Sequence, residues 1–177
     1  LIQPIAPESA ELLSRIHYVS TATVTLGYKK EGFSHALDGF GFVVPKAEGR
    51  SILACTWTSS KFPHRAPEGH VMIRCYLGGA LQEEIAEKDA ETLEKLVRDD
   101  LREIMGITET PVFCKVFQNF KSNVQYHVNH SKRIDSIMED LKNYPGLFLA
   151  GSAYRGIGIP DCIQNGNVAA ESALEFL

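Results

Sequence analysis

The stretch Leu147-Phe-Leu-Ala-Gly-Ser-Ala-Tyr-Arg-Gly-Ile-Gly-Ile-Pro-Asp-Cys-Ile163 constrains the fold of this chain more than any other. It reads as a buried strand over Leu147–Ala150, a glycine-punctuated turn, and a helix from about Pro160 to Leu177. Gly151, Gly156 and Gly158 remove side chains where a ligand or another backbone comes close. Pro160 suits the opening of a helix, and Asp161 in its first turn suits the helix dipole. Such a helix end can hydrogen-bond a phosphate or the electron-rich edge of a ring. An ordinary strand-to-helix turn is the alternative, because one glycine-rich turn is a weak signal.

Upstream, Pro7–Ile16 reads as a short helix, and Tyr18–Tyr28, rich in β-branched residues, as a long strand. Phe40–Val44 and Ser51–Thr58 form a hairpin across Pro45–Arg50. A Pro/Gly-marked loop over His64–Gly69 leads into a strand, Val71–Leu77, ended by Gly78 and Gly79. Ile85, Leu93, Leu96, Val97, Leu101 and Ile104 recur at helical spacing and predict one helix from Gln82 to Met105. Val112–Phe117 reads as a strand and Ser131–Lys142 as a helix. On the last helix Gly166, Ala169, Ala170 and Ala173 make a stripe of small residues suited to close docking. Strands in hairpins come first and helices cluster later. The expected class is therefore α+β, with a mixed, largely antiparallel sheet and helices packed on it.

A chain of 177 residues can bury a sizeable core, roughly 70% of its unfolded surface. Its net charge of −4 lacks the basic footprint of a nucleic-acid binder. No apolar run reaches the ~20 residues that span a bilayer, and no signal peptide opens the chain, so a cytoplasmic location is expected. Cys55, Cys75, Cys114 and Cys162 are far apart without a C-x-x-C pair, which favours free thiols over a disulfide framework. Cys162, on an apolar helix face with no His or Lys beside it, reads as packing rather than as a reactive thiol. The abrupt start at Leu1 suggests a piece of a longer protein.

Few constellations carry chemistry by themselves. His127 and His130 could share a metal, but no Cys or carboxylate pair completes the set, and no metal site is expected. Glu83-Glu84 and Asp99-Asp100 read as solvated helix faces, and Lys115, Lys121, Lys132, Arg133 and Lys142 as surface charges. There is no G-x-S-x-G elbow, P-loop or H-E-x-x-H. Gly156-Ile-Gly158 continues as Ile-Pro-Asp, so the third glycine of the dinucleotide fingerprint is absent.

Several blocks together resemble the protoporphyrinogen oxidase family of FAD enzymes, within the amine-oxidase-like flavoproteins. Leu149–Ile163 with Gly166 is similar to that family's C-terminal signature. Gly39-Phe-Gly-Phe-Val-Val-Pro45, Ile52–Trp57 with Lys61-Phe-Pro63, Arg65–Gly69 and Leu77-Gly-Gly79 match further blocks. Gln125-Tyr-His-Val-Asn-His130 is similar to a Gln-Tyr-x-Val-Gly-His block. The chain departs from the pattern at Val124 (proline in the family), Asn129 (glycine) and Asn119 (tryptophan).

The likeness covers only the C-terminal portion of such an enzyme. It implies oxidation of protoporphyrinogen IX or coproporphyrinogen III to the porphyrin, with oxygen as acceptor, in haem biosynthesis. Carried over, Gly156, Ile157, Gly158, Ile159 and Asp161 contact FAD, and Phe40, Gly41 and Val43 line the porphyrinogen pocket. No catalytic residue is assigned. Residues 1–118 would form a substrate-side α+β region and 119–177 the part completing the FAD-binding domain, together one compact unit in isolation. The fingerprint-bearing N-terminal half is the expected partner, docking on the last helix, a face that could otherwise drive self-association. Without that half the chain is expected to be inactive and to retain no FAD, and the full-length protein could lie peripherally on a membrane. Other amine-oxidase-like flavoproteins, or a non-catalytic ligand- or partner-binding module, are the rival readings.

Overall fold

A computed structural model describes residues 1–177. In chain order its elements are α1 (Pro7–Ser14), β1 (His17–Lys29), β2 (Gly41–Val43), β3 (Ile52–Thr56), α2 (Thr58–Lys61) and β4 (His70–Gly78). There follow α3 (Glu83–Ala86), α4 (Ala90–Met105), β5 (Phe113–Gln125), α5 (His130–Leu141) and α6 (Ile159–Phe176). The chain divides into two compact units, one of Val19–Asn123 and one of Leu1–Tyr18 with Val124–Leu177. The division differs from the expected single unit, and from a boundary after residue 118. The N-terminal helix α1 belongs with the C-terminal residues because it packs on α5, where the Ser9 N–H and hydroxyl both donate to Asp140.

The central unit is an α+β layer. Its five-stranded sheet runs β2-β3-β4-β1-β5, with β2–β3, β3–β4 and β4–β1 antiparallel. Strand alternation separates two faces. Ala22, Val24, Leu26 and Tyr28 of β1 and Ile73, Cys75 and Leu77 of β4 are buried against Leu93, Val97 and Leu101 of α4. Burying each such large aliphatic side chain stabilises by about 1.5–3 kcal/mol, and this layer is the core. The hydrogen bond with Cys55, and then burial, drive the Cys75 thiol well above its ordinary pKa, and burial does the same to the Tyr28 hydroxyl.

The single helix expected over 82–105 is broken. Asp89 caps a new helix, its carboxylate accepting from the Thr92 N–H at 2.8 Å and the Thr92 hydroxyl at 2.7 Å. The acid pairs also serve the fold. One oxygen of Asp100 accepts the backbone N–H groups of Ser51 and Ile52, at 2.8 and 3.0 Å, fastening α4 to the start of β3. Glu83 accepts from the Ser20 N–H and pairs with Lys121 at 2.8 Å. Lys121, aided by Ser20, holds the Glu83 carboxyl down to about 2.

In the other unit, Ala6, Ile16, Ile134, Ile137 and Leu141 form a small core with Leu147, Leu149 and Tyr154 packed on it. Leu147–Ala150 is not a strand. The sheet's five strands do not include it, and an isolated extended segment has no ladder to join. No helix of the chain is long and apolar enough to cross a membrane.

Candidate functional site

The flavin-side residues of the resemblance lie on the turn ahead of α6. Gly158 caps this helix with extended backbone, so Pro160 occupies its second position and Asp161 its third. Asp161 reaches back to accept the Gly158 N–H at 3.2 Å. This self-capping explains two glycines. At Gly156, where φ is +76°, a Cβ would sit 2.6 Å from the Asp161 side chain, and at Gly158 it would sit 2.9 Å from the carboxylate. The close approach expected from an external ligand is made by Asp161 itself. The N–H groups of Ile159 and Asp161 have no carbonyl partner, as the first turn of a helix requires. Ile157 and Ile159 flank them at 65% and 78% exposure.

Two residues of the Gln125–His130 block, neither of them expected from the sequence to touch the turn, hold this segment in place. The Tyr126 hydroxyl donates to the Ser152 carbonyl at 2.6 Å, and Nε2 of His130 lies 3.2 Å from the Tyr154 carbonyl. The two rings stack at 3.8 Å, 11° from parallel. His130 is buried and its Nδ1 has no partner, while His127 packs against His17. The paired histidines are therefore divided between different contacts. Asn129, where the family pattern has glycine, sits at φ +68°, a left-handed conformation that both residue types tolerate. The signal available in the sequence was the Gln125–His130 block, whose aromatic and imidazole have a shared target only in three dimensions.

Helix α6 buries none of its residues fully. Ile163, Val168, Leu174 and Phe176 are at least half exposed, and Gly166, Ala169 and Ala173 are half-buried. Ala169 and Val168 help line an apolar groove of about 370 Å³ with Met138, Leu141, Leu147 and Leu149. Cys162, in the first turn, is half-buried.

The substrate-side residues lie in the central unit. β2 pairs with β3 as Gly41↔Thr56, Phe42↔Cys55 and Val43↔Ala54. Phe42 and Val44 turn toward the core with Cys55, while Val43 takes the opposite face, at 79% exposure. Phe40, just before the strand, is 68% exposed. Gly41 has φ +136°, and a Cβ there would meet the Cys55 carbonyl oxygen at 2.0 Å. Only glycine allows this close start to the hairpin. On the same face, register continues Thr56↔Arg74↔Thr25 and Ala54↔Tyr76↔Thr23.

The family model for flavin containing amine oxidoreductases matches residues 1–174. The chain belongs to this family. It is 38% identical to the coproporphyrinogen III oxidase of Bacillus subtilis (strain 168), over 93% of this chain and 35% of that protein. It is 28% identical to the mitochondrial protoporphyrinogen oxidase of Nicotiana tabacum, over 97% of this chain and 34% of that one. A crystal structure of a candidate protoporphyrinogen oxidase from Exiguobacterium sp. 255-15 superposes with a TM-score of 0.84 at 32% identity, covering 98% of this chain and 39% of that one. The chain thus spans about a third of the length of the curated relatives it matches.

Proposed function

We propose that this chain is the C-terminal part of an FAD-dependent porphyrinogen oxidase, supplying one wall of the flavin site and a substrate-side sheet. The observation carrying this reading is that both blocks marked by the resemblance are open surfaces. Phe40, Val43, Ile157 and Ile159 are all more than 60% exposed, although each sits in or beside regular structure. Gly156, Ile157, Gly158, Ile159 and Asp161 would hold the flavin. Unpartnered amides at Ile159 and Asp161 suit the electron-rich edge of a ring, and the two isoleucines suit its apolar face. When bound, FAD would accept two electrons at a time, and reoxidation by oxygen after each of three rounds would complete the six-electron oxidation. Asp161 keeps its carboxylate turned onto the Gly158 N–H, which holds the turn in shape. Phe40, Gly41 and Val43 would present an apolar, glycine-flattened edge to the macrocycle.

The remaining flavin-binding half would be the docking partner of α6, with Ile163, Val168, Leu174 and Phe176 as its contact residues. Neither half of the proposal requires the chain to bind FAD alone. The test is expression of the reading frame that carries this chain, followed by flavin absorbance and the appearance of porphyrin fluorescence from coproporphyrinogen III and protoporphyrinogen IX. A yellow protein that converts at least one of them is expected. A colourless protein inert toward both would overturn the reading.

A further inference from the structure

On the face of the sheet opposite the core, Arg74 and Lys115 have no carboxylate partner, and neither does Lys29 at the end of β1. Arg74 lies at its centre, half-buried between Thr56 of β3 and Thr25 of β1. Its Nε–H donates to Thr25 Oγ1 at 3.1 Å, which orients the guanidinium and leaves both terminal nitrogens free. None of the eight ion pairs in the chain includes Arg74 or Lys115. Lys115 shares this face. A Cβ on Gly27 would meet Phe113 at 3.3 Å, so Phe113 lies on the Thr25 side of the sheet, and alternation puts Lys115 and Phe117 there too. The Lys115 ammonium rests 5.5 Å from the centre of the Phe117 ring. Strands β4 and β5 both flank β1, so Arg74 and Lys115 stem from backbones about 10 Å apart.

The surroundings narrow the ligand. Phe113 and Phe117 are about half exposed on this face, Tyr76 is half-buried, and Val43 stands open at its β2 edge. No acidic residue lies among the strand positions of β2, β3, β4 or β5 on this side. An aromatic surface with a pre-oriented guanidinium and a second cation suits a flat apolar body bearing carboxylates, because the Arg fork matches a carboxylate in geometry and charge. A half-buried, unpaired guanidinium is otherwise costly.

We propose that Arg74, with Lys115 as a second and weaker contact, binds carboxylate side chains of the macrocyclic substrate. This rests on the porphyrinogen oxidase reading and adds to it the residues that select a propionate-bearing tetrapyrrole.

The test uses the oxidase that carries this chain, with coproporphyrinogen III as substrate. Arg74→Gln should raise KM about ten- to a hundredfold with kcat within about threefold, the loss expected when one charged hydrogen-bonded contact is removed. Arg74→Lys should recover part of that loss, and Lys115→Gln should raise KM about threefold. Inhibition by coproporphyrin III and by its tetramethyl ester separates charge from packing. Arg74→Gln should weaken the free acid and leave the ester unchanged. An unchanged KM in an active Arg74→Gln enzyme would overturn this proposal alone, as would equal weakening by acid and ester. A wild-type enzyme inert toward porphyrinogens would remove the oxidase reading and this proposal with it.

Discussion

Replacing Asp100 by Ala should destabilise the central unit about twice as much as replacing it by Asn. One carboxylate oxygen accepts both the Ser51 and Ile52 N–H groups, and the Ile52 bond is fully buried. Alanine strands both donors. The buried Ile52 amide should cost about 1–3 kcal/mol and the partly solvated Ser51 amide about 0.5–1.5 kcal/mol, together about 2–4 kcal/mol. Asparagine keeps a carbonyl oxygen that can accept from both and loses only the assistance of charge, a cost of about 1–2 kcal/mol. Trp57 is the only tryptophan and packs against the core of this unit, so its fluorescence reports the unfolding directly. With a urea m-value near 2 kcal/mol/M, the midpoint should fall by about 1–2 M for Asp100→Ala and about 0.5–1 M for Asp100→Asn. Arg50 also approaches Asp100, at 3.8 Å, but its closer ion pair is with exposed Glu103. Arg50→Met should therefore barely move the midpoint. Equal shifts for Ala and Asn would refute the argument, since the shared acceptor would then not be what matters.

Three further outcomes are expected. Gly41→Ala should lose the β2–β3 hairpin and cost more than about 2 kcal/mol, combining a left-handed conformation with a backbone clash; a urea midpoint within 0.3 M of wild type, on the order of the measurement error, would argue against it. Glu83 has a carboxyl held down to about 2, so its contribution is present above the ordinary carboxylate range and lost as pH falls toward 2. Glu83→Gln should flatten the acid limb of a stability profile between about pH 5 and 2, and an unaltered limb would contradict the linkage. Burial, with Glu94 beside it, pushes the Cys114 thiol up to about 12, so iodoacetamide at pH 8 should label it at least about tenfold more slowly than in urea.

Much of the fold was readable because hydrophobic period and local signals coincided. β1 and β4 extend the predicted strands by a residue or two, and α1, α5 and α6 begin within a residue of the expected starts. Errors arose where a local signal was outvoted. Periodicity across 82–105 passed straight through Asp89, whose capping bonds end one helix and begin another. The apolar run Leu147–Ala150 resembled a strand, but strand identity depends on a neighbour, and here the run packs on a helical core instead.

The amino-acid sequence by itself determined the α+β class, the family resemblance and the two blocks at which chemistry was sought. Spacing and residue type suffice for these because they are properties of contiguous segments. Tertiary structure alone decided which side of the sheet each of those segments presents, that Gly156 and Gly158 make room for Asp161, and that Tyr126 and His130 clamp the backbone ahead of them. It also decided that Arg74, a single arginine in an apolar strand, stands unpaired between Thr56 and Thr25. That fact depends on register between strands distant in sequence, and no local pattern of residues encodes what a side chain is left without.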